Sequence, residues 1–241
     1  MSTTEMVEEY IKGHKVDCGK IFAWRLYTSD LIKDLLQENE ALWIHDGDVS
    51  KPHVELSGGN CSDCYVNCSN ILNNPSLSEF LAFLLLNKFY YALGGLPEVD
   101  WVIGSPNAAI TLAHDVARLI GVKSGFPEKS GISETGMVWE RWQIKKDEKV
   151  LQIEDLVTTG GTLLAVRKTL NRDNPVRIKW FPYVGAIVHR PKDISIRGYD
   201  NCGLLSLLEM NAVNWPPDKC PLCRRGSPRI KPKFNWLELF G

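Results

Sequence analysis

The residues most able to do chemistry lie in one stretch, between Lys149 and Thr162. Two acids, Glu154 and Asp155, close an apolar run, and a turn of threonines and glycines spans residues 158–162. Glycine lets a backbone curl tightly, so that successive N–H groups of the turn can converge on one anion. Two adjacent acids can hold the vicinal hydroxyls of a sugar or a hydrated Mg²⁺. The stretch therefore predicts a phosphate site with a diol clamp beside it.

The elements that must position these groups are indicated by the same stretch. The apolar run predicts a strand, and after the turn Leu163, Val166 and Leu170 recur at helical spacing. The acids then lie where the strand ends, the usual ligand edge of an open α/β sheet, and the helix turns its positive end toward the anion. An ordinary strand, turn and helix with a threonine cap is the alternative. A P-loop is excluded because the chain contains no G-x-x-x-x-G-K-[ST] run.

This stretch resembles the signature of type I phosphoribosyltransferases for 5-phosphoribosyl-1-pyrophosphate (PRPP), in which two acids lead into a D-x-x-T-T-G-x-T run. The resemblance implies an α/β fold with a largely parallel central sheet flanked by helices, an N-terminal hood and a C-terminal cysteine-containing extension. It also implies that Glu154 and Asp155 bind the ribose hydroxyls, with Asp155 among the catalytic residues. The PRPP-binding loop that follows would consist of Val157, Thr158, Thr159, Gly160, Gly161 and Thr162.

Composition narrows the class of protein. The 241 residues are 44% hydrophobic and 24% charged, which is typical of a globular chain with one substantial core. A net charge of −1 favours small-molecule chemistry over nucleic acid or an acidic membrane as a partner. The longest apolar run, Phe80–Leu86, is too short to span a bilayer, and the amino terminus does not resemble a signal peptide. We expect a cytoplasmic protein whose seven cysteines are thiols or metal ligands.

The chain divides into three predicted segments. Residues 1–50 carry two helical patterns, and the second, capped by Thr28 or Ser29, indicates a packing helix. By the resemblance, this N-terminal segment would build part of a hood over the base. Residues 51–198 form the predicted phosphoribosyltransferase core, and residues 199–241 form the extension.

Two further helices are predicted to pack on the sheet. Ser76 and Glu79 form a capping-box pattern before a leucine-rich run, which indicates a core helix. Apolar residues between Ala109 and Ile120 also recur at helical spacing. A strand at residues 100–103 precedes the second helix, so the chain contains a second strand, loop and helix unit.

The loop of that second unit occupies the place of the family's pyrophosphate-binding loop. Gly104 would permit close approach of the backbone, while Ser105 and Asn107 offer polar contacts to PRPP. A plain turn is the alternative, because the family loop is often richer in glycine.

A hairpin is predicted where residues 53–67 alternate on each side of Gly58 and Gly59. This segment looks like the S-G-x-x-S-x-x-Y-x-N segment of orotate phosphoribosyltransferases, which favours orotate as the acceptor. The usual residues differ at the positions of Cys61 and Cys64.

Residues 123–140 contain three glycines and a proline and read as a long loop, which in a compact domain is usually functional or disordered. By the resemblance this loop closes over the substrates, with Lys129 as the catalytic cation that meets the pyrophosphate of PRPP and Lys123 as a second candidate. Arg141 either faces the site or lies exposed on a strand. The richer R-x-x-x-K-x-H-G pattern of the best-known orotate enzymes is absent.

The base would be bound at the end of another strand. Residues 184–188 read as buried, and His189 and Arg190 follow at the ligand edge. Arg190 matches an arginine that contacts orotate in the resembling family, and Thr158 would line the same site. The alternative is that His189 and Arg190 lie at the end of a strand and bind no ligand.

The C-terminal extension carries Cys220 and Cys223, a Cys-x-x-Cys half-site that needs two more ligands for structural zinc. Cys61 and Cys64, or Cys68, have suitable spacing to supply them. Two reduced buried thiols are the alternative. Five basic residues between Arg224 and Lys233 could bind phosphate or nucleic acid, although a solvated face is the usual explanation.

These features together predict transfer of the 5-phosphoribosyl group from PRPP to a nucleobase, most of all orotate, with release of pyrophosphate. Mg²⁺ would be carried mainly by the substrate phosphates. Two alternatives remain, namely a salvage phosphoribosyltransferase for a purine or another base and a PRPP-binding regulator without catalysis. A homodimer is expected from the resemblance alone.

Overall fold

The computed structural model describes residues 28–131, 133–190 and 202–240. The first of the two predicted helical patterns, the predicted boundary at residue 198 and Ile132 of the predicted loop lie outside these ranges. In chain order the elements are α1 (Ser29–Glu38), β1 (Leu42–Ile44), β2 (His53–Glu55), β3 (Cys61–Ser62), β4 (Cys64–Val66), α2 (Ser69–Leu72), α3 (Pro75–Leu93), β5 (Trp101–Gly104), α4 (Ala109–Ile120), β6 (Lys123–Gly125), β7 (Glu128–Lys129), β8 (Met137–Val138), β9 (Lys149–Val157), α5 (Gly161–Asp173), β10 (Lys179–His189), β11 (Gly203–Glu209), β12 (Asn214–Trp215), α6 (Pro221–Arg224), β13 (Arg229–Ile230) and α7 (Pro232–Asn235), with 3₁₀ turns at Pro217–Lys219 and Trp236–Leu239.

Five strands form one parallel sheet in the order β6, β5, β9, β10, β11. From β5 the chain passes through α4 to β6 on one side, and from β9 it passes through α5 to β10 on the other. The strand order therefore reverses between β5 and β9. Open α/β sheets bind ligands outside the carboxyl ends of the strands at such a switch point. The predicted fold class, a largely parallel sheet flanked by helices, is confirmed.

The strands of this sheet alternate their side chains between two apolar layers. Val102 and Ile153 face the layer in which α1, α3 and α4 pack. Ile103 and Val150 face the opposite layer, which α5 covers. The sheet is therefore buried on both faces, and its strand ends are held rigidly relative to one another.

Two helix starts test the predicted caps. Thr28 caps α1 as predicted, since its Oγ1 accepts a hydrogen bond from the Leu31 N–H at 3.1 Å. The predicted cap of α3 is wrong, because Asn74 and not Ser76 accepts the N–H groups of the first turn. Pro75 occupies the first helical position, where its missing N–H leaves no hydrogen bond unmade.

A second, smaller sheet joins the hairpin to the C-terminal segment. The predicted hairpin is confirmed as β2 and β3, and the sheet runs in the order β12, β3, β2, β13. By contrast β11, which the sequence assigned to the extension, is an edge strand of the larger sheet. Its sequence gives no local sign of its partner β10, because a connection of residues 190–202 separates the two strands. None of the helices in the described ranges is both long and apolar enough to cross a membrane.

Candidate active site

The predicted phosphate loop follows β9 and opens α5. Gly160 has a φ of +77°, a left-handed conformation that glycine adopts without strain, and it directly precedes the helix. No described side chain caps the first turn of α5, so its N–H groups remain available to an anion. The loop encloses a cavity of about 130 Å³. The cavity is lined by Glu154, Leu156, Val157, Thr158, Thr159, Gly160, Gly161, Thr162 and Leu163.

The two acids at the end of β9 lie in different environments. Glu154 is 2% exposed, and its Oε1 accepts hydrogen bonds from Ser105 Oγ at 2.5 Å and from Gln152 Nε2 at 2.7 Å. Burial raises the pKa of Glu154 to about 8, even though the two hydrogen bonds favour the charged form. Burial also raises the pKa of the half-buried Asp155. Hydroxyl donors or a cation would compensate the charge that burial disfavours at both groups.

A polar network beneath Glu154 was missed from the sequence. Arg167 is buried on α5 and its Nε donates to Gln152 Oε1 at 2.9 Å, while its guanidinium stacks on the Trp180 ring at 4.6 Å. Gln152 also donates to the Leu163 carbonyl at 3.2 Å, so the network ties β9 to α5. The available signal was Gln152 itself, a polar residue within an otherwise apolar strand.

The second predicted loop lies beside the first, across the switch point. Ser105 follows β5, is 2% exposed, and donates its hydroxyl to Glu154. A Cβ added at Gly104 would lie 2.4 Å from the Ala109 carbonyl oxygen. The close packing of α4 against β5 therefore requires a glycine at this position, whether or not a ligand approaches it. Asn107 is exposed at the start of the helix.

The predicted loop over the site is in part an ordered ribbon. β7 and β8 pair antiparallel, and Lys129 is exposed on β7. Arg141 forms an ion pair with Glu128. Lys123 lies at the amino end of β6, opposite the ligand edge, and pairs with Glu148 at 2.5 Å. The structure therefore contradicts Lys123 as a second candidate cation and leaves Lys129 on the ribbon.

Arg190 lies directly after β10, next to the phosphate loop. Its N–H donates to the Val157 carbonyl at 2.8 Å, which fixes Arg190 beside Thr158. The side chain is 7% exposed, and its Nη1 donates to the Cys64 carbonyl at 2.9 Å. Nε has no hydrogen-bond partner among the described residues, and neither has Nε2 of His189. A buried arginine with an unused donor at the ligand edge is suited to an anionic ligand.

No model of a protein family matches the chain. Curated relatives do match it over most of their length. An orotate phosphoribosyltransferase of Heliobacterium modesticaldum is 32% identical over 209 residues, which are 85% of this chain and 97% of the relative. One from Thermoanaerobacter sp. is 33% identical over 201 residues, 82% of this chain and 97% of the relative.

The chain belongs to the orotate phosphoribosyltransferase family. It is accordingly an enzyme of the phosphoribosyltransferase type. Solved structures agree on the fold. Orotate phosphoribosyltransferase of Aeropyrum pernix has a TM-score of 0.52 at 17% identity and covers 74% of this chain and 93% of its own. UMP synthase of Leishmania donovani has a TM-score of 0.55 at 17% identity and covers 90% of this chain and 42% of its own.

This phosphoribosyltransferase also contains a cluster of metal-ligating side chains away from the phosphate loop. The cluster consists of His53, Cys61, Cys220 and Cys223. The predicted set named Cys64 in place of His53. Cys64 instead packs in the main apolar core and lies three positions from Cys61, an odd spacing that turns the two thiols to opposite faces of an extended chain. His53 was missed because it lies on the neighbouring strand.

Proposed function

We propose that this enzyme transfers the 5-phosphoribosyl group of PRPP to orotate, giving orotidine 5′-monophosphate and pyrophosphate. The observation that carries the choice of acceptor is Arg190, a buried cation beside the phosphate loop whose Nε has no hydrogen-bond partner among the described residues. Orotate is an anionic base, and its carboxylate would supply both a negative charge and a hydrogen-bond acceptor for Arg190. Relatives named orotate phosphoribosyltransferase support the same acceptor.

The sugar phosphate would be bound across the switch point of the sheet. The 5′-phosphate accepts hydrogen bonds from the N–H groups of residues 158–162 at the positive end of α5. Asp155 and Glu154 accept hydrogen bonds from the ribose 2′- and 3′-hydroxyls. Holding the diol and the phosphate fixes the anomeric carbon toward the base, so that much of the rate comes from positioning.

The reaction breaks the bond between the anomeric carbon and pyrophosphate and forms a bond to a ring nitrogen of orotate. Positive charge develops on the ribosyl group in the transition state, and negative charge develops on the departing pyrophosphate. Lys129, reaching from its ribbon, and the loop of Gly104, Ser105 and Asn107 would stabilise the leaving group. The anionic base needs little help from a proton acceptor on the protein.

Magnesium fits this site as an ion held mainly by the substrate. Glu154 already accepts two hydrogen bonds, and Asp155 is half-buried, so the acids offer limited ligation and no carboxylate cage. That donor set suits a magnesium ion that retains water and substrate oxygens. When bound, it would neutralise charge on the pyrophosphate.

The two alternatives receive less support. An adenine phosphoribosyltransferase from Saccharomyces cerevisiae shares the fold at a TM-score of 0.53, but its 16% identity speaks only for the fold. A purine has no carboxylate that could accept a hydrogen bond from Arg190. Against a regulator without catalysis stand the relatives, which are named as enzymes. A homodimer and a cytoplasmic location complete the proposal and rest on membership of the family; sedimentation and cell fractionation test them.

The test is pyrophosphate release from PRPP and Mg²⁺ with orotate, uracil, adenine, guanine, hypoxanthine and xanthine offered separately. We expect turnover with orotate and little with the other bases. Asp155→Asn is the control, and it should reduce turnover about 100- to 1,000-fold without preventing folding. Turnover with a purine in place of orotate would refute the choice of acceptor, and PRPP binding without turnover on any base would refute catalysis.

A further inference from the structure

Four ligating side chains meet between the hairpin and the C-terminal segment, away from the proposed active site. His53 Nε2 lies 3.3 Å from Cys223 Sγ and 3.7 Å from Cys220 Sγ, and Cys61 Sγ lies 3.6 Å from Cys223 Sγ. A tetrahedral zinc ion with Zn–S of about 2.3 Å and Zn–N of about 2.0–2.1 Å requires about 3.8 Å between sulfurs and about 3.6 Å between sulfur and nitrogen. The three distances lie within about 0.3 Å of these values, and all four ligating atoms lie within 4.8 Å of one another.

The histidine is oriented for a metal by its neighbours. Ser227 Oγ donates its single proton to the Lys51 carbonyl at 2.8 Å, and the same oxygen lies 2.8 Å from His53 Nδ1. Because that hydroxyl proton is already used, Nδ1–H must be the donor to Ser227. Nε2 then carries the lone pair, and it faces the cysteines. Metal-bound histidines are commonly fixed by such a second hydrogen bond.

The conformation of the Cys-x-x-Cys turn also favours metal binding. The Cys223 N–H points at Cys220 Sγ at 3.5 Å, a contact that stabilises a thiolate. Gly226 has a φ of +86°, which lets the chain turn back toward the hairpin. The Arg229 guanidinium lies next to the Cys61 sulfur and also pairs with Glu55 at 3.5 Å, so it would offset part of the negative charge at this end of the cluster.

We propose that His53, Cys61, Cys220 and Cys223 bind a structural zinc ion. Three thiolates and one imidazole are soft and borderline ligands that suit zinc, and four protein ligands leave no open position for catalysis. A disulfide does not account for the cluster. It would bring two sulfurs to about 2.05 Å and leave the other thiol and the bare imidazole nitrogen without a partner.

The zinc ion would stabilise a sheet whose strands are very short. β2, β3, β12 and β13 are two or three residues long, and the ligands come from β2, β3 and the segment that opens α6. Such short strands are marginal alone, so metal binding would add to the stability that apolar contacts of Val54 and Leu222 give this sheet.

The zinc site would also position Arg190, an inference that rests on the proposed function. Cys61 lies three residues before Cys64, whose carbonyl accepts the Arg190 Nη1 hydrogen bond. The intervening Asp63 and Ser62 are hydrogen-bonded to Val213 of the C-terminal segment at 3.1 Å each. Loss of the ion should therefore weaken orotate binding more than PRPP binding.

The test begins with the metal content of the full chain, purified without chelators or a metal-affinity tag. We expect about one zinc ion per chain, and the Cys223→Ser variant should lose most of it. Cys202→Ser removes a cysteine outside the cluster and should keep the ion. Because Cys223→Ser could fail to fold, Co²⁺ exchanged into the wild-type chain provides a second readout, with tetrahedral ligand-field bands and thiolate charge transfer expected.

Zinc at much less than one equivalent, a cobalt spectrum without thiolate charge transfer, or a Cys61–Cys223 disulfide found by mass spectrometry would overturn the metal site. If zinc is present, its removal should raise KM for orotate at least about 10-fold and leave KM for PRPP nearly unchanged. Equal effects on both substrates would overturn only the link to Arg190. Absence of turnover with bound zinc would instead count against the proposed function.

Discussion

The two sheets of this molecule hold their positions by different physical means. The larger sheet has strands of up to 11 residues, and its side chains are buried in apolar layers on both faces. The smaller sheet has strands of two or three residues and two small apolar clusters, one that contains Val54 and Leu239 and one around Cys61, Cys220 and Leu222. Hydrophobic burial dominates in the larger sheet, whereas the smaller sheet has less of it and would depend in addition on the proposed metal ligands.

The comparison explains where the proposed chemistry lies. Parallel strands of the larger sheet bring Ser105, Glu154 and Thr158 to one edge, because their carboxyl ends coincide at the switch point. Arg190 joins the two sheets, since it follows β10 and donates to the Cys64 carbonyl beside the hairpin. The larger sheet should therefore bind PRPP, and the smaller sheet should tune the acceptor site.

The largest effect is expected at Asp155. Asp155→Asn removes a charge that faces the ribose while keeping the side-chain volume, so kcat should fall about 100- to 1,000-fold. The melting temperature should not fall, because burial of the carboxylate is unfavourable. Steady-state kinetics and calorimetry on the same preparation check both. An unchanged kcat would show that the Asp155 carboxylate does not contribute to catalysis.

The second effect is a dependence of stability on pH. In the unfolded chain the pKa of Glu154 is near its ordinary value of 4.5, whereas in the folded chain burial raises it to about 8. Between these values the folded state binds more protons, so this residue lowers stability as pH rises. Glu154→Gln cannot ionise, and its unfolding free energy relative to wild type should increase from pH 5 to pH 8 by about 1–4 kcal/mol.

Denaturant titrations at four pH values measure this difference. The variant should also lose activity, because its amide cannot accept hydrogen bonds from both ribose hydroxyls and its neighbours as a carboxylate does. A difference that stays constant with pH would show that Glu154 is ionised in the folded protein throughout this range.

The third effect tests packing at the end of β5. Gly104→Ala places a methyl group 2.4 Å from the Ala109 carbonyl oxygen, so the helix or the strand must shift. We expect a loss of about 1–3 kcal/mol in unfolding free energy. Gly95→Ala is the matched control, because a Cβ there meets nothing within 4 Å. Equal effects of the two substitutions would refute the close approach of α4.

The smallest effect concerns the cap of α3. Asn74→Ala removes the acceptor of two N–H groups in the first turn and should cost about 1 kcal/mol without altering KM for either substrate. Asn73→Ala, one residue earlier, provides the control and should cost less. Thermal unfolding of the pair measures the difference, and a larger cost at Asn73 would contradict the assigned cap.

The two sheets also differ in how much of each could be predicted from the sequence. The phosphate loop could be predicted because its strand, turn and helix are contiguous in residues 149–170. The close contact of Gly104 with α4 could not, since it depends on packing between elements. His53 was missed for a similar reason, because the ligands of the cluster come from segments about 160 residues apart and only strand pairing brings them together. Local sequence patterns therefore predicted the phosphate loop, whereas the contacts between distant segments could not be read from the sequence.

The most direct test of the account is the kinetic effect of Arg190→Gln, with orotate and PRPP varied in separate series. We expect KM for orotate to rise at least about 10-fold while KM for PRPP changes less than about 2-fold. Arg190→Lys, which keeps a positive charge, should show a smaller rise. An unchanged KM for orotate, or an equal rise for both substrates, would contradict the assignment of Arg190 to the acceptor.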